Sequence, residues 1–365
     1  GKSSRTPTGF FFRLPARMAI REQALNGLNK QGWHIMKQWV LAAIAAIGIG
    51  AAADAAEFKP AVVFDMGGKF DKSFNEGVYE GVERFSKESG VKYLEFEVTN
   101  ETQREQAIRR MARKGANPIL GVGFAQGPAI EKIAKEYPDT SFAIIDSVVD
   151  VPNVQSIVFN EHEGSFLVGV LAAKASETGK RGFVGGMDIP LIRRFACGYV
   201  GGAQWANKDI EVLQNMTGST PAAWNDPTKG AELARSQFDR GADIVFAAAG
   251  STGLGVLQAA ADAGKKAIGV DSNQNYLHPG IMLTSMLKRV DIAAYRVFKE
   301  AQAGELKPGI NVLGLGDNGV GWALDEHNKA MITDEMKAAV EKAEAGIKSG
   351  EITVHDYMAD NTCPY

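Results

Sequence analysis

The chain has 365 residues, 45% of them hydrophobic and 23% charged, with 41 glycines, a length and balance that suit two α/β domains, each with its own core. A formal net charge of −3 leaves no basic excess, so nucleic acid is not an expected partner. Neither Gly-x-x-x-x-Gly-Lys-Ser nor Gly-x-Ser-x-Gly occurs, so the equipment for phosphoryl or acyl transfer is missing.

Residues 36–56 read as a signal peptide: Lys37 supplies the charged start, an apolar run covers 39–53, and Ala53-Asp54-Ala55 offers a small-residue cleavage site near Ala55 or Ala56. About 15 apolar residues fall short of the ~20 that span a bilayer, so stable membrane insertion is not expected. No cysteine follows the run, which argues against a lipid anchor and for a soluble periplasmic protein. Residues 1–35 precede Met36, where a signal peptide would begin, and are expected to be an over-extended start or an expression remnant.

The stretch 62–75, Val-Val-Phe-Asp-Met-Gly-Gly-Lys-Phe-Asp-Lys-Ser-Phe-Asn, organises the rest of the chain. A buried strand runs out at Asp65, a glycine pair turns the chain, and a helix starts at Ser73, whose spacing to Glu76 is that of a capping box. Asp65, Asp71, Phe74 and Asn75 therefore meet at the carboxyl end of a first strand, the edge where open α/β sheets bind ligands.

Strands are then expected at 92–98, 118–124, 141–146 and 154–159, and helices at 102–114, 128–136 and 161–176. In a second series, strands 182–187, 210–216, 244–249 and 267–270 alternate with helices 191–207, 227–240 and 254–263. Arg113-Lys114-Gly115-Ala116-Asn117 and Asp239-Arg240-Gly241-Ala242-Asp243 each precede a strand, a weak internal repeat that suggests two lobes on one plan. The remainder reads as strand 281–287, helix 291–303, two short strands within 311–324 and helix 334–348. The fold class is α/β, with two Rossmann-like lobes, each a mostly parallel sheet flanked by helices, joined by a multi-strand hinge. Lobe 1 is expected over 57–160 plus about 285–320, and lobe 2 over 161–284 plus about 321–365.

The Asp, Gly-rich turn and Asp-x-Ser-Phe-Asn of 65–75 resemble the opening of the basic membrane protein family of ABC-transporter substrate-binding proteins, nearest its purine-nucleoside receptors. Gly241-Ala242-Asp243, Gly269-Val270-Asp271 and Thr284-Ser285-Met286-Leu287-Lys288 extend the likeness over roughly 58–322. The resemblance implies the type I periplasmic binding protein fold, a small-molecule ligand, no cofactor and no catalysis, and ABC permease and ATPase subunits as partners of a monomer.

A purine nucleoside asks for an aromatic on each face of its base, an acceptor for its N–H groups, and partners for its ribose. Phe74 and Phe195 are the chosen aromatics and Trp224 a third. The alternatives are an apolar staple for Phe74 and core packing for Trp224. The family's cleft-lining phenylalanine matches Phe195 within Arg194-Phe195-x-x-Gly198, after Gly185-Gly186-Met187. Asp146 is carried over from the family as the base acceptor, beside Asn75, which can donate or accept. Asp271 and Lys288 form an acid and base pair suited to ribose; otherwise Asp271 only ends a strand. Met187 and Gly250 complete the ligand-binding candidates. His162, between Glu161 and Glu163, lacks metal-ligand spacing and reads as an acidic helix start.

Cys197 and Cys363 either pair or remain a buried helix thiol and an exposed tail thiol. Two other functions compete. A nucleoside-cleaving enzyme would need an aspartate cluster for a divalent cation, which Asp65-Met66-Gly67-Gly68 does not supply. A ligand-sensing regulator would need a helix-turn-helix where 1–56 reads as an export signal. A free purine base or another metabolite is the alternative ligand.

Overall fold

The computed structural model describes residues 57–365; the expected leader at 1–35 and signal peptide at 36–56 lie outside the described residues. The first lobe is built from β1 (Ala61–Phe64), α1 (Phe74–Ser89), β2 (Leu94–Glu97), α2 (Gln103–Arg113), β3 (Ile119–Val122), α3 (Gly127–Glu136), β4 (Phe142–Ile145) and β5 (Val154–Phe159). Its sheet order is β2-β1-β3-β4-β5-β11, all parallel, with β11 (Gly309–Leu313) returning late to the β5 edge. Both faces are covered, which is why β1 is apolar throughout: Val62 and Phe64 join one core cluster, Ala61 and Val63 the other.

The second lobe repeats the plan with α4 (Glu161–Ala175), β6 (Lys180–Met187), α5 (Pro190–Ala206), β7 (Glu211–Gly218), α6 (Pro227–Asp239), β8 (Ile244–Ala248), α7 (Ser251–Asp262), β9 (Lys266–Asp271) and β10 (Met282–Lys288). The order is β7-β6-β8-β9-β10-β12, with β12 (Val320–Trp322) antiparallel to β10. The repeated pentapeptides enter β3 and β8 at matching places, and Gly115 and Gly241 turn the chain there at φ 73° and 97°. α7 starts at Ser251, three residues earlier than the sequence pattern suggests, because Gly250 at φ 55° ends the preceding loop abruptly.

The chain crosses between lobes after β5, after β10 and between β11 and β12. β10 belongs to the second sheet through Lys288, in register with Asp271 opposite Leu287, so the return to lobe 1 begins with α8 (Val290–Gln302) and not near 285. α8 packs on α1, with Phe85 and Phe298 rings 5.6 Å apart. α5 lies flush on α4: a Cβ on Gly198 or Gly202 would come within 2.4 or 1.9 Å of the His162 or Phe166 carbonyl. That close approach sets the start of α5 beside the start of α4.

α9 (Asp334–Ser349) is capped by the Thr333 hydroxyl and also packs on α4. The tail after the short α10 (Tyr357–Asp360) is tied back to α5 by a Cys197–Cys363 disulfide, so the two thiols pair. Among the described residues no helix is long and apolar enough to cross a membrane.

Candidate functional site

The turn between β1 and α1 carries the lobe 1 side of the site. Asp71, not Ser73, caps the helix: its carboxylate accepts from the amides of Ser73, Asn75 and Glu76 at 2.8, 3.0 and 3.1 Å. The capping box is therefore not formed, because a carboxylate two residues earlier already holds those donors. Burial pushes the Asp71 carboxyl up to about 7, against the pull of the three amides. The Ser73 hydroxyl, relieved of capping, donates across the cleft to Asp271 Oδ2 at 2.5 Å.

Asn75 is buried, and its amide group donates to the carbonyls of Asp65 and Gly68 at 3.3 and 3.2 Å. Both donors being spent, Asn75 offers the cleft an acceptor only, a narrower role than its side chain allows in isolation. Asp65 accepts from Arg104 Nε at 3.0 Å and from its neighbour Met66 N at 2.8 Å. Burial raises the Asp65 pKa while Arg104 opposes it.

Lys288 reaches the cleft from the end of β10 and pairs with Asp146 at 2.7 Å and Glu161 at 2.9 Å. The expected Asp271–Lys288 pair is not made; the loop after β4 brings Asp146 nearer, and Asp271 is taken by Ser73. The side chains of all three acids are buried, and burial raises the carboxyls of Asp146 and Asp271. At Glu161 burial also opposes ionisation, but Lys288 and Arg194 outweigh it and hold that carboxyl low. Burial works against charge on Lys288 too, yet Asp146, Glu161 and Asp271 together keep it protonated. Arg194 Nη1 donates to Glu161 and to the Phe159 carbonyl, while its other nitrogens bind Asp356 bidentately at 2.7 Å each. His162 is buried in the first turn of α4, and its acidic neighbours diverge: Glu161 faces Lys288, whereas Glu163 accepts from Leu315 N.

The second lobe contributes Phe195, with Ile192 and Leu191 three and four residues earlier on the same face of α5. Phe74 from lobe 1 and Phe195 from lobe 2 flank the lysine, their ring centroids 5.2 and 5.6 Å from Lys288 Nζ. Trp224 fills a slot left by two glycines: a Cβ on Gly186 would lie 2.3 Å from its ring and one on Gly250 3.8 Å.

Asp65, Asp71, Phe74, Asn75, Asp146, Phe195, Trp224, Gly250, Asp271 and Lys288 line one cleft with about 640 Å³ of empty space, partly open to solvent. Met187 does not line it, because the Trp224 indole occupies the space beside the end of β6. Phe124, Leu191 and Ile192 line it and were not singled out from the sequence; helical spacing from Phe195 would have found the last two. Glu161 and Arg104 act one step back, as partners of Lys288 and Asp65.

Two side-chain oxygens at the cleft, Asn75 Oδ1 and Asp146 Oδ1, are buried with no protein donor. The site is thus a mainly apolar slot with a phenyl ring from each lobe and acceptors awaiting donors.

Residues 58–357 match the family model described as ABC transporter substrate-binding protein PnrA-like. The chain belongs to this family. The ABC transporter nucleoside-binding protein BmpA of Lactococcus lactis subsp. cremoris is 34% identical over 321 residues, covering 82% of this chain and 89% of that protein. Basic membrane protein D of Borreliella burgdorferi is 34% identical over 268 residues, covering 71% and 77%. Among solved structures, a solute-binding protein of an ABC transporter system from Aeropyrum pernix K1 aligns with TM-score 0.76 and 30% identity over 82% of this chain and 93% of that one. The bilobal architecture is that of type I periplasmic binding proteins, and this member of the family is a substrate-binding protein of an ABC transporter.

Proposed function

We propose that the chain clamps a purine nucleoside between its lobes and delivers it to an ABC permease driven by an ATPase subunit. The observation that carries this reading is the pairing of two aromatic walls, Phe74 and Phe195, with two unpartnered buried acceptors, Asn75 Oδ1 and Asp146 Oδ1. A ligand that suits them is flat on both faces and brings N–H or O–H donors, as a purine base does with its ring N–H or exocyclic amine. Asp271 Oδ1 and the remaining Lys288 N–H are the partners we assign to the ribose hydroxyls. The name of the Lactococcus relative, a nucleoside-binding protein, agrees with this reading.

Mass spectrometry of small molecules released when the purified protein is denatured tests the proposal. A purine nucleoside in stoichiometric amount is expected; a free base or an unrelated metabolite would replace it. The role calls for no catalysis, so adenosine incubated with the protein is expected back intact. Release of adenine above a no-protein control would favour a nucleosidase.

Export to the periplasm with cleavage near Ala56 completes the proposal. Both cysteines, Cys197 and Cys363, are engaged with each other. Terminal sequencing of the exported protein checks this, and retention of residues 36–53 would refute it.

A further inference from the structure

The last residues of the chain lie on α5 beside the site. Arg194, Cys197 and Gly201 fall at i, i+3 and i+7, one stripe of that helix, and each meets the tail. Asp356 takes the Arg194 fork through two bonds of 2.7 Å, and Cys363 is bonded to Cys197. The Tyr365 ring packs so near Gly201 that a Cβ there would come within 2.5 Å of it. The His355 amide donates to the Tyr365 hydroxyl at 3.1 Å, which closes residues 355–365 into a loop. Asp356 also caps α10, accepting from Met358 N at 2.9 Å, so its carboxylate is held at a fixed place against α5.

From Asp356 a line of charges runs inward to the ligand site. Arg194 stands between two acids, Asp356 on the tail and Glu161 at the start of α4. The two oxygens of Glu161 are divided: Oε2 meets Arg194 and Oε1 meets Lys288, each at 2.9 Å. Side-chain exposure falls from 30% at Asp356 to 12% at Arg194, 1% at Glu161 and 2% at Lys288, so the line joins the surface to the buried site. Tail, α4, α5 and β10 all belong to lobe 2, so these contacts do not depend on how the lobes are set against each other. Asp146, the other partner of Lys288, comes from lobe 1.

An arginine fork that binds one carboxylate bidentately is kept from gripping a second in the same way. Without the Asp356 charge, the fork turns onto Glu161 and takes both of its oxygens, which draws Oε1 away from Lys288. The ammonium then leans on Asp146 alone and shifts within the cleft that it lines.

We propose that Asp356 is a positioning residue for the ligand site: by engaging Arg194 it keeps Glu161 Oε1 on Lys288 and so fixes the ammonium in the cleft. Its effect on affinity rests on the ribose contact assigned above to Lys288; the relay from Asp356 to the ammonium does not.

Two measurements on Asp356→Asn provide the test. In nitrogen-15 spectra of the lysine ammonium groups, the Lys288 signal, identified by its Overhauser contact with the Phe195 ring, is expected to move in the variant. In calorimetric titration, adenosine affinity is expected to fall by about three- to ten-fold, the worth of one displaced hydrogen bond, and adenine affinity by less. In a Glu161→Gln background, the further change Asp356→Asn is expected to cost less than about two-fold, because the carboxylate that carries the relay is gone. A tail that merely supports the fold would lower affinity equally in both backgrounds. An unmoved Lys288 signal overturns the proposal, as does an equal loss in the two backgrounds. If Glu161→Gln fails to fold, the Lys288 signal decides alone. A moved signal with unchanged adenosine affinity upholds the relay and overturns the ribose contact of Lys288. If wild type binds no adenosine, the nucleoside reading falls, and the Lys288 signal still decides the relay.

Discussion

The two lobes share a strand order and differ in what their strands deliver to the cleft. β4 and β9 hold equivalent places, and at the carboxyl end of each stands an aspartate with a buried side chain and left-handed backbone, Asp146 just past β4 at φ 70° and Asp271 closing β9 at φ 63°. Such a conformation is uncommon for a residue with a side chain, and aspartate is among the few that adopt it readily. The next strands diverge: β5 ends in Phe159, β10 in Lys288. The single lysine, carried by lobe 2, goes to the aspartate of lobe 1, while the aspartate of lobe 2 takes a hydroxyl from lobe 1. Each lobe's aspartate finds a partner in the other lobe, so the polar site is assembled only where the lobes meet.

Removing the shared cation is the harshest way to break that arrangement. Lys288→Met leaves Asp146 and Glu161 buried without the ammonium between them and is expected to lower stability by about 3–5 kcal/mol, measured by urea unfolding. A loss below about 1 kcal/mol would mean that the acids are neutral or solvated.

Asp71 tests the lobe 1 helix start, which has no buried carboxylate counterpart at α5, the helix after the equivalent strand β6. Its folded pKa, raised to about 7 from 3.8, means that the folded state binds the extra proton between those values. The stability Asp71 contributes therefore falls as pH rises from about 4 through 7, by a few kcal/mol at most. Asp71→Asn should accordingly lose more stability relative to wild type at pH 5 than at pH 8. Equal losses at both pH values would show that the three amides keep the carboxylate ionised throughout.

The two aspartates should respond unequally. Asp146→Asn removes a charged partner of Lys288 and is expected to reduce stability by about 1.5–3 kcal/mol. Asp271→Asn retains an oxygen for the Ser73 hydroxyl, so a loss of about 1 kcal/mol or less is expected in the same unfolding experiment. Matching losses would erase the asymmetry between the lobes.

The aromatic walls, in contrast, should behave alike. Phe74→Ala and Phe195→Ala are each expected to weaken adenosine and adenine binding by about 1–3 kcal/mol, the worth of one stack, in calorimetric titrations. A variant that loses one ligand and not the other would move that ring from the base to the sugar.

The layout of this fold is legible in the sequence because both sheets are buried on two faces, which makes runs such as Ala61–Phe64 apolar throughout and separates them with helices of regular spacing. The rule that ligands sit at the carboxyl ends of such strands brought most of the cleft residues into view. Pairings within the cleft were less accessible. Lys288 and Asp146 stand 142 residues apart, and which acid the lysine meets depends on how the lobes are set against each other. Local chemistry misled at Ser73, whose capping motif is pre-empted by Asp71, and said too little at Glu161, which reads as part of an acidic helix start and is the buried bridge between Lys288 and Arg194. Met187 failed because a glycine beside it admits the Trp224 ring.

Calorimetric titration of wild type and Asp271→Ala with adenosine and with adenine tests most directly whether a nucleoside is held by acids that the two lobes complete for each other. Lys288 keeps Asp146 and Glu161 in this variant, so the fold should survive and the deficit should fall on the sugar. Adenosine affinity is expected to drop by about ten- to a hundred-fold, the worth of a charge-assisted hydrogen bond, with adenine affinity nearly unchanged. Equal affinity of the two proteins for adenosine would contradict the placement of the ribose at Asp271.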